Sequence, residues 1–192
     1  MRAAEADILI VPGWSGSEED HWQSRWERSL KTARRVQQED WYQPSLTAWT
    51  HRIQTAVEEA VLPVVLVAHS LGVATAVHAA ATLPPGKVVG AYFVAPADVD
   101  HADQWPLTRG YDPIRSLSGF SPMPTARLPF PAMLVASAND PYCSLERARD
   151  MAAGWGAEFI EAGECGHLNV SSGHGPWPEG LLRFGLFMKG LG

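Results

Sequence analysis

The sequence has little cysteine, only Cys143 and Cys165 in 192 residues, which excludes a disulfide-held scaffold and any Cys-x-x-Cys metal or redox motif. Long apolar runs are missing as well: residues 61–68 are interrupted by Pro63, well short of the roughly 20 residues that cross a bilayer. Residues 8–11 are too short for the apolar centre of an export signal, and Glu5 and Asp7 precede them. Positive charge is in deficit too, the formal net charge being −6, so no basic footprint for nucleic acid and no polybasic patch for anionic lipid is present. There is no Gly-x-Gly-x-x-Gly, no Gly-Lys-Ser/Thr loop and no His-Glu-x-x-His, so neither nucleotide nor metal nor any other cofactor is expected. These absences predict a cytoplasmic protein acting on a small molecule, with no nucleic-acid or membrane partner and any protein partner left open.

What is present suits a compact core: 46% of residues are apolar and 19% charged, and the length fits one domain over residues 1–192. Short β-type runs alternate with helix-type segments, which predicts an α/β fold with a doubly wound sheet of about six parallel strands and helices on both faces. Ile8 to Val11 form the first strand, stopped by Pro12-Gly13. A helix is expected to begin near Ser17, with Trp22, Trp26 and Leu30 on its buried face. A polar strand over residues 35–39 reads as a sheet edge, and Leu46, Trp49, Ile53 and Val57 keep the helical period after it. Further strands are expected over residues 64–67, 88–94, 133–136 and 157–160. Helices are expected after Ser70 and over residues 144–153 and 181–186, and a short one near residues 114–117. The proline-rich stretch 100–131 has no sustained period and reads as a short loop region over the active site. Trp105, Tyr111, Phe120, Met123 and Phe130 are its anchors, with packing onto the body as their expected role.

The most informative segment is Ala68-His69-Ser70-Leu71-Gly72 between a buried strand and a small-residue helix. It is a form of the Gly-x-Ser-x-Gly nucleophile elbow with Ala in the first position. A strand that turns abruptly into a helix strains the central residue, so bulky neighbours are not tolerated. The same turn sets Ser70 at a helix N-terminus, where unpaired amides favour developing negative charge. Leu71 N–H is therefore one candidate oxyanion donor. The backbone N–H of Trp14, in the loop after the first strand beside Gly13, is the other.

A serine hydroxyl needs a base. Among seven histidines, His167 follows the last strand and fits the chain order Ser, acid, His. His69 is expected to pack or hydrogen-bond locally, and His21, His51 and His78 fall in helical segments. His101 and His174 lie in loops, and His174 stays open as an alternative base or a pocket wall. For the acid, Asp140 in Ala138-Asn139-Asp140-Pro141 follows a strand at the edge where such sheets build sites. Asp98 and Asp100 offer a second position. Pairing of Asp140 with His167 would bring the loops of Cys143 and Cys165 together, which leaves a disulfide conceivable but not implied.

These residues resemble the small α/β-hydrolase family of the retinoblastoma-binding serine hydrolase and its uncharacterised bacterial relatives. The resemblance runs through Val11-Pro12-Gly13-Trp14, His21-Trp22, the elbow at Ser70, Asn139-Asp140-Pro141 and Gly166-His167-Leu168-Asn169. It ends on Ser172-Gly173-His174-Gly175-Pro176-Trp177-Pro178. It implies a compact α/β-hydrolase fold, a Ser70, Asp140 and His167 triad, and hydrolysis of small carboxylic esters or related acyl compounds. The competing expectation is a catalytically silent protein that keeps this fold for binding.

Overall fold

The computed structural model of the protein describes residues 1–106, 117 and 119–191. Strands β1 (Asp7–Val11), β2 (Ala33–Arg35), β3 (Val64–Ser70), β4 (Val88–Pro96), β5 (Ala132–Ala136) and β6 (Glu158–Glu161) pair in the order β2-β1-β3-β4-β5-β6. Every pairing is parallel. The helices are α1 (Trp22–Ser29), α2 (Leu46–Glu58), α3 (Leu71–Ala80), α4 (Leu145–Trp155) and α5 (Pro178–Gly190).

Alternation along the strands sorts the apolar side chains onto two faces. Leu9, Leu66, Phe93 and Leu134 point to a core completed by Trp49 and Ile53 of α2, the small residues of α3, and Met151 and Trp155 of α4. Ile8, Ile10, Val67, Tyr92 and Val135 point to the other, where α1 supplies Trp22 and Trp26 and α5 supplies Phe184, Phe187 and Met188. The central strand β3 is covered on both sides, as its unbroken apolar sequence requires.

Three boundaries differ from expectation. The edge strand lies at Ala33–Arg35 rather than 35–39, because Ile8 to Ile10 are its partners and β1 ends one residue later at Val11, before Pro12. The first helix begins at Trp22 and not near Ser17: His21 Nδ1 accepts the Gln23 N–H as the cap, while Ser17 donates its hydroxyl to the Gln23 side chain instead. The last helix starts at Pro178, which suits a first-turn position needing no N–H. In the proline-rich stretch, Phe120, Met123 and Phe130 are buried against the body, and Asp100 accepts hydrogen bonds from Ser121 Oγ and Met123 N. Tyr111 and most of the helix expected at residues 114–117 lie outside the described residues.

Candidate active site

Five loops meet at the C-terminal edge of the sheet: the one after β1, the β3–α3 elbow, and those after β4, β5 and β6. Ser70 has φ 56° and ψ −125°, a conformation that costs a non-glycine residue free energy and persists only where its surroundings enforce it. They do so by close packing. A Cβ on Gly72 would lie 2.2 Å from the Val11 carbonyl oxygen, and one on Gly13 would lie 2.9 Å from Ser70 Cβ and 3.0 Å from Leu71 N. The loop after β1 therefore abuts the elbow through backbone, and Gly13, Trp14, Ser70 and Leu71 share the wall of one cavity of about 250 Å³.

Ser70 Oγ donates to His167 Nε2 at 2.8 Å, and His167 Nδ1–H reaches both carboxylate oxygens of Asp140 at 2.9 Å. Asp140 Oδ1 also accepts the Tyr142 N–H at 2.9 Å. With side chains only 9% and 3% exposed, the His167–Asp140 pair is shielded from water, which strengthens its electrostatic interaction. Asp98 is engaged elsewhere, accepting from His101 Nδ1 at 2.7 Å and Arg147 Nε at 3.3 Å, and Asp100 meets Arg147 at 2.6 Å. Neither is placed as a partner of His167. Among the other histidines, His78 donates to the Phe120 carbonyl, His174 lies beside Ser172 Oγ, and His51 is exposed.

Several residues that periodicity alone did not single out shape the site. The Tyr142 ring lies 4.4 Å from the His167 ring on one side and the His69 ring 4.8 Å from it on another, centroid to centroid. Asn139 Oδ1 accepts the Gly166 N–H at 2.6 Å, and Ser137 Oγ accepts the Cys165 N–H at 2.9 Å, tying the loop of Asp140 to the loop of His167. Burial, and then the neighbouring His167 and Arg35, push the His21 imidazole down to about 3. His69 is likewise held well below the usual histidine range by burial and by the histidines on either side. Both are neutral at physiological pH and set no positive charge beside His167. Cys143 and Cys165 are free thiols, and burial raises the Cys143 pKa.

A larger cavity of about 760 Å³ lies between the β5–β6 side of the sheet and α5, but its lining holds no serine, cysteine or histidine; chemistry, not size, selects the smaller one. Among the described residues no three His, Cys, Asp or Glu side chains are grouped to hold a metal ion. Nor is any helix among them long and apolar enough to cross a membrane.

A family model described as serine hydrolase matches residues 8–185. A structure described as a YdeN-like hydrolase from Pectobacterium atrosepticum is 33% identical, with a TM-score of 0.83 over 98% of this chain and 94% of that one. The ydeN gene product of B. subtilis is 17% identical, with a TM-score of 0.73 over 96% and 99%. Est1E from Butyrivibrio proteoclasticus shares the fold at 13% identity, with a TM-score of 0.65 over 93% and 88%. No curated protein sequence matches this one.

Proposed function

The chain belongs to the serine hydrolase family, and on that premise we propose that it cleaves small carboxylic esters or related acyl compounds through Ser70, His167 and Asp140. The observation that carries the proposal is the hydrogen-bond chain from Ser70 Oγ through His167 to Asp140, with contacts of 2.8 and 2.9 Å, at the wall of a cavity. In this reading Ser70 Oγ attacks the carbonyl carbon as His167 Nε2 takes its proton. The oxyanion is held by the backbone N–H groups of Leu71, at the start of α3, and Trp14. His167 then protonates the departing alcohol oxygen, the C–O bond breaks, and an acyl-Ser70 ester remains. Water, deprotonated by the same imidazole, releases the acid. Asp140 fixes the tautomer and stabilises the imidazolium. The reading uses no cofactor.

A fluorophosphonate probe tests it. Wild type is expected to label covalently, and Ser70→Ala, equally folded by circular dichroism, is expected not to. A folded wild-type protein that resists the probe would favour a silent binding role for the same cleft.

Substrate size follows from the cavity. At about 250 Å³ it falls below the roughly 300–1,000 Å³ of pockets that enclose drug-sized ligands. Among the described residues, the neighbouring space beyond Trp105 and Tyr142 is lined by Asp98, His101 and Arg147 together with Pro141 and Cys143, so this lining offers a long chain a mixed and not an apolar continuation. Methylenes outside the cavity stay in water and forfeit about 0.8 kcal/mol each. Among p-nitrophenyl esters, kcat/KM is expected to peak at acetate or butyrate and not to rise for octanoate or palmitate. A steady increase through palmitate refutes the short-acyl preference.

A further inference from the structure

The base loop holds Leu168 in a conformation that its side chain does not favour. Gly166 has φ +56°, which glycine adopts freely, but Leu168, which carries a branched side chain, has φ +49°, a left-handed conformation that costs a non-glycine residue free energy. Contacts beyond the local sequence must hold Leu168 there. Two consecutive carbonyls are caught: His69 Nε2–H donates to the His167 carbonyl at 2.9 Å, and Trp22 Nε1–H donates to the Leu168 carbonyl at 2.9 Å. Both donors are buried, Trp22 completely, and they come from different elements, the end of β3 and the start of α1. The His69 and Trp22 rings also pack edge to face with centroids 6.0 Å apart, and the His21 ring packs against His69 at 4.9 Å. The two donors thus form one supported unit beneath the base.

We propose that His69 and Trp22 are positioning residues that clamp the His167–Leu168 backbone and thereby keep the imidazole within reach of Ser70. The proposal rests on the reading of His167 as the base. The carbonyl can only accept, so His69 carries its proton on Nε2. Because burial keeps the ring neutral, the clamp brings no like charge to the imidazolium that forms on His167. His69 precedes Ser70 in the chain and lines the same cavity, but its Nε2–H is engaged by the His167 carbonyl and Trp22 Nε1–H by that of Leu168, so the effect of both donors on the reaction passes through the placement of His167. Displacement of a reacting group by about an ångström costs on the order of 10²-fold in rate.

The test uses the full chain with p-nitrophenyl butyrate and the fluorophosphonate probe. His69→Phe keeps a ring without a donor, Trp22→Phe does the same at the second carbonyl, and His69→Gln puts an amide N–H near the place of Nε2. The two phenylalanine variants are expected to lower kcat about 10- to 100-fold, with KM within about two-fold of wild type and with slower probe labelling. His69→Gln is expected to recover most of kcat. A residue serving only stability would lower the melting temperature without producing this split between kcat and KM or this rescue. Wild-type kcat in folded His69→Phe or Trp22→Phe, or a glutamine variant as slow as the phenylalanine one, overturns the clamp. If His69→Phe does not fold, Trp22→Phe and His69→Gln carry the same test. An inert wild type would instead overturn the underlying assignment of Ser70 and His167.

Discussion

Asp140→Asn is expected to reduce kcat by about 10⁴-fold while leaving the protein folded. The size of the effect follows from how the carboxylate is used. Its Oδ1 accepts the Tyr142 N–H at 2.9 Å, and an asparagine keeps that bond by placing its carbonyl oxygen there. The amide NH2 then takes the place of Oδ2, and both positions lie 2.9 Å from His167 Nδ1. An N–H there repels the Nδ1–H and favours the tautomer whose lone pair faces the amide and whose proton sits on Nε2. In that tautomer Nε2 cannot accept the Ser70 proton, and in either tautomer the charge that would stabilise an imidazolium is gone. The Tyr142 bond and the shape of the side chain are preserved, so the melting temperature should change little. Steady-state kinetics on p-nitrophenyl butyrate, checked against circular dichroism, measures this. A loss below about ten-fold would remove Asp140 from its assigned role, and the acid would have to be sought elsewhere on the same sheet edge.

The fold was legible wherever local sequence carried the physics. Val64 to Val67 read as a central strand because a strand buried on both faces has no polar alternation to display, and the small residues after Gly72 read as a helix lying close to the sheet. The elbow was visible because its sequence signature is confined to five consecutive residues. The ties between distant parts of the chain left no such trace. Asn139 holds Gly166 across 27 positions and Trp22 holds Leu168 across 146, and neither spacing has a period. His69 is instructive in this respect: adjacency to Ser70 argued for local packing or hydrogen bonding, but only the folded chain brings the carbonyl of His167, 98 positions away, to its Nε2. For the acid, the ordering of strands and loops favoured Asp140 over Asp98. What separates them in the structure is Arg147, which engages Asp98 and Asp100 together. The edge strand and the first helix were misplaced by several residues for a related reason. Their limits are set by pairing with Ile8 to Ile10 and by a histidine cap, and neither is among the strong local signals.

The tight approach of β1 to the elbow leads to the second large effect. Gly72→Ala places a methyl group 2.2 Å from the Val11 carbonyl oxygen and 2.6 Å from that of Pro12, and both obstacles are backbone. They cannot swing aside as a flexible side chain would. Val11 is paired with Ala68 in the sheet register, and the fully buried Gln23 bonds to the carbonyls of Val67 at 3.0 Å and Val11 at 3.4 Å. To admit the methyl group, the end of β1 must withdraw from α3 and take Gly13 and Trp14 with it. Overpacking of this kind costs about 3 kcal/mol or more, which for a chain of this size lowers the melting temperature by roughly 6–12 °C. Any folded fraction should also lose kcat, since Trp14 N–H, the proposed second donor to the oxyanion, would be drawn away from Ser70. Gly185→Ala is the matched control: it lies within α5 with no atom within 4 Å of the added methyl, so it should be neutral or stabilising by about 0.5–1 kcal/mol. Thermal unfolding of the two variants beside wild type decides the matter. If Gly72→Ala melted within about 2 °C of wild type, the strand would have room to move, and close backbone packing would not be what holds the elbow strained.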